Sequence, residues 1–141
     1  MCKIIIGIDY GKSRIGVASG QILTKTASPI ATISAKNGVP DWQKFDQLVH
    51  QWHPHEIVIG LPIDTKDQET EITKEVRLFS KVIEKRYQKK IHLISEAFST
   101  QEALWLLKKA NQKVNSFLKV DALAACIILE TWMNLSHTAC V

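Results

Sequence analysis

The chain opens on an apolar run, Lys3 to Ile8, that is dense in Ile and reads as a buried strand. It stops at Asp9-Tyr10-Gly11-Lys12-Ser13, a tight turn. Arg14 to Ser19 then resumes with Ile15 and Val17 on one face, and Ile22 to Ile33 is a third extended piece carrying several Thr and Ala. Three strands joined by short turns predict an antiparallel meander. A break follows over Ser34 to Pro40. Asp41 is placed to cap a helix in which Trp42, Phe45, Leu48, Val49 and Trp52 recur at helical spacing, and His53-Pro54 ends it. Glu56 to Gly60 is a short strand bounded by Leu61-Pro62. A polar connection, Asp64 to Gln68, leads to a helix carrying Ile72, Val76, Phe79, Val82 and Ile83, whose other face is charged in mixed sign and needs no role beyond solvation. Ile91 to Ile94 is another strand. Ser99-Thr100-Gln101-Glu102 has the spacing of a capping box and opens a helix that runs to Lys109. Ala110 to Lys119 is polar and basic without a period and reads as a loop, before a last apolar helix from about Val120 to Leu135.

The resulting order, β-β-β-α-β-α-β-α-α, predicts an α/β fold: a mixed five-stranded sheet with its first, fourth and fifth strands parallel and helices on both faces. The 141 residues show no internal repeat and no domain boundary, so residues 1–141 read as one domain. Open sheets of this kind place their chemistry at the carboxyl ends of the parallel strands. Asp9, the Gly60-Leu61-Pro62 turn and Glu96 fall there.

Composition narrows the class. With 45% hydrophobic and 23% charged residues, disorder and low complexity are excluded. The net charge of +4 tolerates an anionic partner without demanding one. Three cysteines, Cys2, Cys126 and Cys140, lack the spacing of a structural zinc site, and an odd number suits a reducing compartment, which makes the cytoplasm the expected location. No stretch approaches the roughly 20 apolar residues of a membrane helix, and the first residues are too short and too polar for a signal peptide.

Three carboxylates stand out. Asp9 closes an otherwise apolar strand and must meet water, a cation or hydrogen-bond donors; an Asx-type turn cap accounts for it equally well. Glu96 ends a parallel strand, where a solvated acid is ordinary. Asp121 begins the last helix, where free N–H groups and the helix dipole stabilise an acid. Brought to one sheet mouth, the three would repel one another unless a divalent cation neutralised them. Hard oxygen ligands without Cys or His favour Mg²⁺ or Mn²⁺, and such a site suits phosphodiester hydrolysis. Lys12, Arg14, Lys66, Lys108, Lys109, Lys113 and Lys119 lie near that mouth and could neutralise a nucleic-acid backbone, or else be solvated. His53 and His55 read as surface residues on the opposite side, and His92 lies in or beside a strand. Trp42, Trp52, Trp105 and Trp132 fit helical core faces, with exposed stacking platforms as the alternative, and Cys126 reads as a small core hydrophobe.

The segments IIIGIDYGKSRIGVASG, PDWQKF…PHEIVIGLPI, SEAFSTQEA and KVDALAACIILE resemble, in order and spacing, the bacterial pre-16S rRNA nuclease family, over about Ile4 to Leu135. Its members are ribonuclease H-like and were once described as Holliday-junction resolvase-like. The resemblance implies a ribonuclease H-like fold and a small, cytoplasmic, metal-dependent nuclease that helps mature the 5′ end of 16S rRNA. It carries the family's acidic metal ligands onto Asp9, Glu96 and Asp121. The family's opening-loop glycines fall on Gly7, Gly11 and Gly16, its basic positions there on Lys12 and Arg14, its Gly-Leu-Pro turn on Gly60, Leu61 and Pro62, and its Ser-Thr pair on Ser99 and Thr100. Two departures stand near the cleft: Ser95-Glu96-Ala97 replaces the usual Asp-Glu-Arg, and no Asp-Gly follows the Gly-Leu-Pro turn.

Rival readings are an RNA-holding homologue with little catalysis, which Ala97 favours, and a junction resolvase, which needs a symmetric dimer presenting two sites. A third is an ATP-binding domain of the actin and sugar-kinase type, suggested by Gly7 to Gly11 and opposed by the length of the chain. The expected partner is nucleic acid, pre-16S rRNA or a pre-ribosomal particle, bound by a monomer or weak homodimer.

Overall fold

The computed structural model describes residues 3–62, 68, 70–95 and 117–137, with the side chains of 121–135 in the last helix. The elements are β1 (Ile4–Asp9), β2 (Arg14–Gln21), β3 (Thr26–Lys36), β4 (Val39–Pro40), α1 (Trp42–Trp52), β5 (Glu56–Leu61), α2 (Glu71–Tyr87), β6 (Lys90–Ser95) and α3 (Phe117–His137). The sheet order is β4-β3-β2-β1-β5-β6. β1 pairs antiparallel with β2 and parallel with β5, and β5 pairs parallel with β6. The mixed α/β sheet expected from the element order is therefore present.

Two details differ from the expected pattern. The break over Ser34 to Pro40 is a hairpin: β3 runs on to Lys36, and β4 pairs back onto it as a short sixth strand. Asn37 and Gly38 both take positive φ, 51° and 83°, which is the backbone a two-residue hairpin turn requires. The last helix also begins earlier than expected, at Phe117, inside the stretch that reads as a loop. The helix expected over 99–109 lies outside the described residues.

Both faces of the sheet are covered, which is why the strands are so continuously apolar. On one face Ile6, Ile8, Ile15, Val17, Ile57 and Ile59 pack against Phe45 and Leu48 of α1 and Val76, Phe79 and Ile83 of α2. On the other, Ile5, Ala18 and Val58 pack against Ala125, Cys126, Leu129 and Met133 of α3. Cys126 is a core residue there, and burial pushes its thiol up to about 12. Among the described residues, no helix is long and apolar enough to cross a membrane.

The approach of α3 to the sheet depends on missing side chains. A Cβ on Gly7 would strike Leu129 and approach the Ala125 carbonyl at 2.9 Å, and one on Gly16 would strike the backbone of Asp121. A Cβ on Gly20 would come within 3.1 Å of Leu129 and 3.2 Å of Met133. The chain thus lays a seam of glycine beneath α3, with Ala18 between Gly16 and Gly20 on β2. Gly16→Ala forces helix backbone off the sheet, and overpacking of this kind costs about 1–3 kcal/mol. Urea unfolding should show that loss; an unchanged midpoint would mean α3 can shift freely.

On the other face, α1 and α2 are clamped at the surface. Asp46 accepts from Arg86 Nε at 2.8 Å, from Arg86 Nη2 at 2.7 Å and from the Tyr87 hydroxyl at 2.6 Å. The guanidinium also lies 4.4 Å from the Trp42 ring centre. The Arg86 hydrogen bonds, helped by Tyr87, hold the Asp46 carboxyl down to about 2. A carboxyl depressed in the folded state contributes stability above its unfolded pKa, and that contribution fades as pH falls towards the folded value. Asp46→Asn should therefore cost about 1 kcal/mol at neutral pH, a modest figure because the pair is exposed and screened. Thermal unfolding of both proteins should show this gap closing between about pH 4 and pH 2; a gap independent of pH would rule out the ionic origin.

Candidate active site

β1 ends on Asp9, and β5 and β6, parallel to it, end on Leu61 and Ser95 at the same edge of the sheet. Alternation along β1 puts Asp9 on the face of Ile5 and Gly7, which is the face that α3 covers. In register, Asp9 lies opposite Gly16 on β2. Above Gly16 sits the backbone of Asp121. One glycine is thus the shared neighbour of two acids that are 112 positions apart in sequence.

Asp121 is not a helix cap. α3 starts at Phe117, so Asp121 stands in its second turn, past the free N–H groups of the first. The capping account of this residue fails for that reason. Its carboxylate is largely enclosed, and Arg14 Nε, from the first residue of β2, lies 3.0 Å from Oδ2. The approach is an ion pair, and by strict geometry Oδ2 is a buried oxygen without a hydrogen-bond donor among the described residues. Burial pushes the Asp121 carboxyl up, and the Arg14 charge opposes that shift. An acid that costs free energy to bury and is incompletely bonded fits a cation-binding role better than a structural one. Its donor set is hard oxygen, as Mg²⁺ or Mn²⁺ prefers.

The remaining predicted residues divide by location. Gly11 permits the β1–β2 turn, since a Cβ there would strike the Arg14 carbonyl. Lys12, on that turn, is exposed, with Nζ 3.8 Å from Glu75 Oε1 of α2. Gly60 pairs with Ile94 near the end of β5. Pro62 comes next but one, and its carbonyl accepts from the Thr73 hydroxyl, which ties the β5 exit to the first turn of α2. Glu96, Lys66, Ser99 and Thr100 lie outside the described residues. Among the described residues no three His, Cys, Asp or Glu side chains converge as metal ligands; Asp9 and Asp121 are the two of the expected three that are described.

The histidines stand elsewhere. His55 accepts through Nδ1 from the Ile4 N–H at 3.4 Å, at the opposite end of β1. His92 pairs with Glu56 at 2.6 Å and packs 4.7 Å from the Trp132 ring, fastening α3 to the sheet edge. Sequence reasoning misses the Arg14–Asp121 pair, because Arg14 by itself suggests only a phosphate contact or a solvated residue. The glycine at position 16, two residues beyond Arg14 on the same face of β2, is the available signal that something packs closely there.

Comparison with known proteins places the fold and the family. The sequence model of the RuvX family, described as Holliday junction resolvase, matches residues 3–135. Proteins named “Putative pre-16S rRNA nuclease” from Francisella tularensis subsp. holarctica and subsp. novicida are each 55% identical over 134 residues, covering 95% of this chain and 98% of theirs. Among solved structures, Thermus thermophilus RuvC in complex with a Holliday junction substrate superposes with a TM-score of 0.58 at 11% identity, over 96% of each chain. The Fowlpox virus resolvase in complex with junction DNA gives 0.58 at 13% identity, over 94% of this chain and 97% of that one. At such identities these two bear on fold alone, and the fold they share is ribonuclease H-like. By sequence, this chain is a member of the RuvX family.

Proposed function

We propose that this chain, as a single domain, is a metal-dependent nuclease that hydrolyses phosphodiester bonds in RNA and matures the 5′ end of pre-16S rRNA in the cytoplasm. The observation that carries this reading is that Gly16 has Asp9 beside it in the sheet and the Asp121 backbone above it, at the carboxyl edge of the parallel strands. The substrate comes from the names of the 55% identical relatives.

Asp9 and Asp121 supply hard oxygens from two different elements, and Glu96, which directly follows β6, is the proposed third ligand. When bound, Mg²⁺ or Mn²⁺ would supply charge stabilisation at the phosphoryl oxygens and a more acidic water. Arg14 balances the Asp121 charge until a cation does so. Lys12, on the turn after Asp9, is placed to meet a backbone phosphate, which would make binding salt-sensitive and largely independent of sequence. Gly11, Gly60 and Pro62 shape the turns that bound the site, with Lys66, Ser99 and Thr100 as proposed further substrate contacts.

Asp9→Asn should abolish metal-dependent cleavage of a labelled 16S precursor fragment, by at least about 100-fold, with little change in unfolding temperature. The assay compares Mg²⁺, Mn²⁺ and EDTA, with a DNA four-way junction as a second substrate. Equal cleavage by wild type and variant would remove Asp9 from the site, and cleavage of the junction alone would favour resolvase activity. Arg14→Gln leaves the enclosed Asp121 carboxylate without its balancing charge. Its unfolding temperature in EDTA should drop, and Mg²⁺ should raise it by more than it raises wild type, because a cation binding only the folded state stabilises it. Equal Mg²⁺ shifts in the two proteins would show that Asp121 does not share a site with the cation.

A further inference from the structure

On the opposite face of the same sheet edge lies a groove of about 420 Å³ that the nuclease reading does not use. Tyr10, the residue after Asp9, lines it, together with Trp42 of α1 and Phe79 of α2. The Tyr10 and Phe79 rings are 4.9 Å apart, and Trp42 stacks on Phe79 at 6.4 Å. Three of its apolar walls are open to solvent: Val39 is 56% exposed, Leu78 64% and Val82 47%. Among the described residues, Leu23, Leu93 and Leu135 are the other exposed large hydrophobics, and none of them lines the groove. Apolar exposure gathered in one concave place is the mark of a binding surface.

One polar group in this groove lacks what it needs. Glu75 lines it, and Glu75 Oε2 is a buried oxygen with no hydrogen-bond donor among the described residues. Its other oxygen has the loose 3.8 Å contact with Lys12. A carboxylate among aromatic rings, short of a donor, fits a flat apolar ligand that carries an N–H on its edge. Unpaired nucleobases are such ligands: they stack on aromatic side chains, and Glu accepts from the exocyclic amine of cytosine. The Glu75 carboxylate can turn to meet a donor, because its terminal torsion is soft.

We infer that this groove holds one unpaired base of the RNA strand, stacked beside Tyr10 and Trp42, with Glu75 accepting from an exocyclic amino group. The inference rests on the nuclease reading above. Placement favours a base over a peptide segment. The groove and the acidic site share the β1–β2 turn, with Asp9 directed to the α3 side, Tyr10 to the α2 side, and Lys12 between them at the rim as a phosphate contact. That turn is held in place by the Ala35 N–H donating to the Ser13 carbonyl at 2.8 Å and the Gly38 N–H donating to the Lys12 carbonyl at 2.9 Å. A strand crossing the edge of the sheet would thus present a phosphate to one face and a neighbouring base to the other.

Cytosine and uracil differ at C4, where one carries an amine and the other a carbonyl. Binding of eight-nucleotide oligo-C and oligo-U is measured by fluorescence anisotropy in EDTA, so that neither is cut. Wild type should bind oligo-C about tenfold more tightly, and Glu75→Leu should bring the two within twofold without weakening oligo-U. Lys12→Ala should weaken both equally. Because Glu75→Leu alters a partly enclosed position, Leu78→Asp serves as a second variant at an exposed one; it should weaken both oligomers by placing another anion at the groove. Equal affinities in wild type, or a preference that survives Glu75→Leu, would overturn the assignment. So would Glu75→Leu leaving RNA binding intact while abolishing self-association in sedimentation, which would make the groove a protein interface. Cleavage of RNA with Mg²⁺ separates the two levels: RNA cut without base preference sinks the groove alone, and RNA neither bound nor cut sinks the nuclease reading with it.

Discussion

A helix can come close enough to a sheet to bring its own backbone beside a strand end only where the sheet gives up side chains. Here Gly7, Gly16 and Gly20 do so on two neighbouring strands, and α3 settles onto the seam they leave. Everything at the sheet edge depends on that contact. With a Cβ at position 16, the Asp121 backbone would have to withdraw, and the acid on β1 would lose its companion. The glycines also explain how an Ala-rich helix can form a core layer, since small residues on both partners let backbones approach and recover dispersion contacts that larger side chains would otherwise supply.

The same closeness creates an electrostatic problem. Packing α3 tightly encloses Asp121, and burial raises the free energy of its charged form. Arg14 answers in part, and among the described residues Oδ2 has no further donor. A structural ion pair selected for stability alone would be expected to satisfy both partners. An acid that folding encloses and leaves incompletely bonded is one whose remaining bonding capacity is available to something else. This is the physical argument for proposing the corner as a cation site, and it is independent of any relative's name.

Much of this is readable from the residues in order. Ile runs at Ile4 to Ile8 and Ile57 to Ile59 announce strands buried on both faces, and the Trp42, Phe45, Leu48, Val49 and Trp52 spacing announces α1, with Asp41 and His53 found at its two ends. The β3–β4 hairpin is missed when Ser34 to Pro40 is weighed as polar composition, although Asn37-Gly38 is the dipeptide that a two-residue hairpin turn prefers. The start of α3 is misplaced because the stretch read as a loop has no apolar period, whereas Phe117 to Lys119 continue the helix that packs from Asp121 onward. That single turn changes the meaning of Asp121, from a cap to an enclosed acid. Candidate residues are legible by type; no sequence pattern encodes which distant residue each one meets, and Arg14 with Asp121 is the case in point.

The acidic corner and the aromatic groove are two outcomes of one alternation. A strand sends successive side chains to opposite faces, so a chain that places Asp9 towards α3 must send the next side chain towards α2. Tyr10 fills that place, and its ring joins the Phe79 core while its hydroxyl end abuts Gly38, where any side chain would collide with it. The hairpin turn at Asn37-Gly38 and the seam at Gly16 therefore brace the same short stretch of chain, Asp9 to Arg14, from opposite sides. Rigidity at a site comes from such crossed constraints more than from any single strong bond, because each lets the chain move only in a direction that the other forbids. Here the constraint is steric at Gly16 and Gly38 and hydrogen-bonded through the Ala35 and Gly38 N–H groups, and it confines the backbone that carries Asp9 and Lys12.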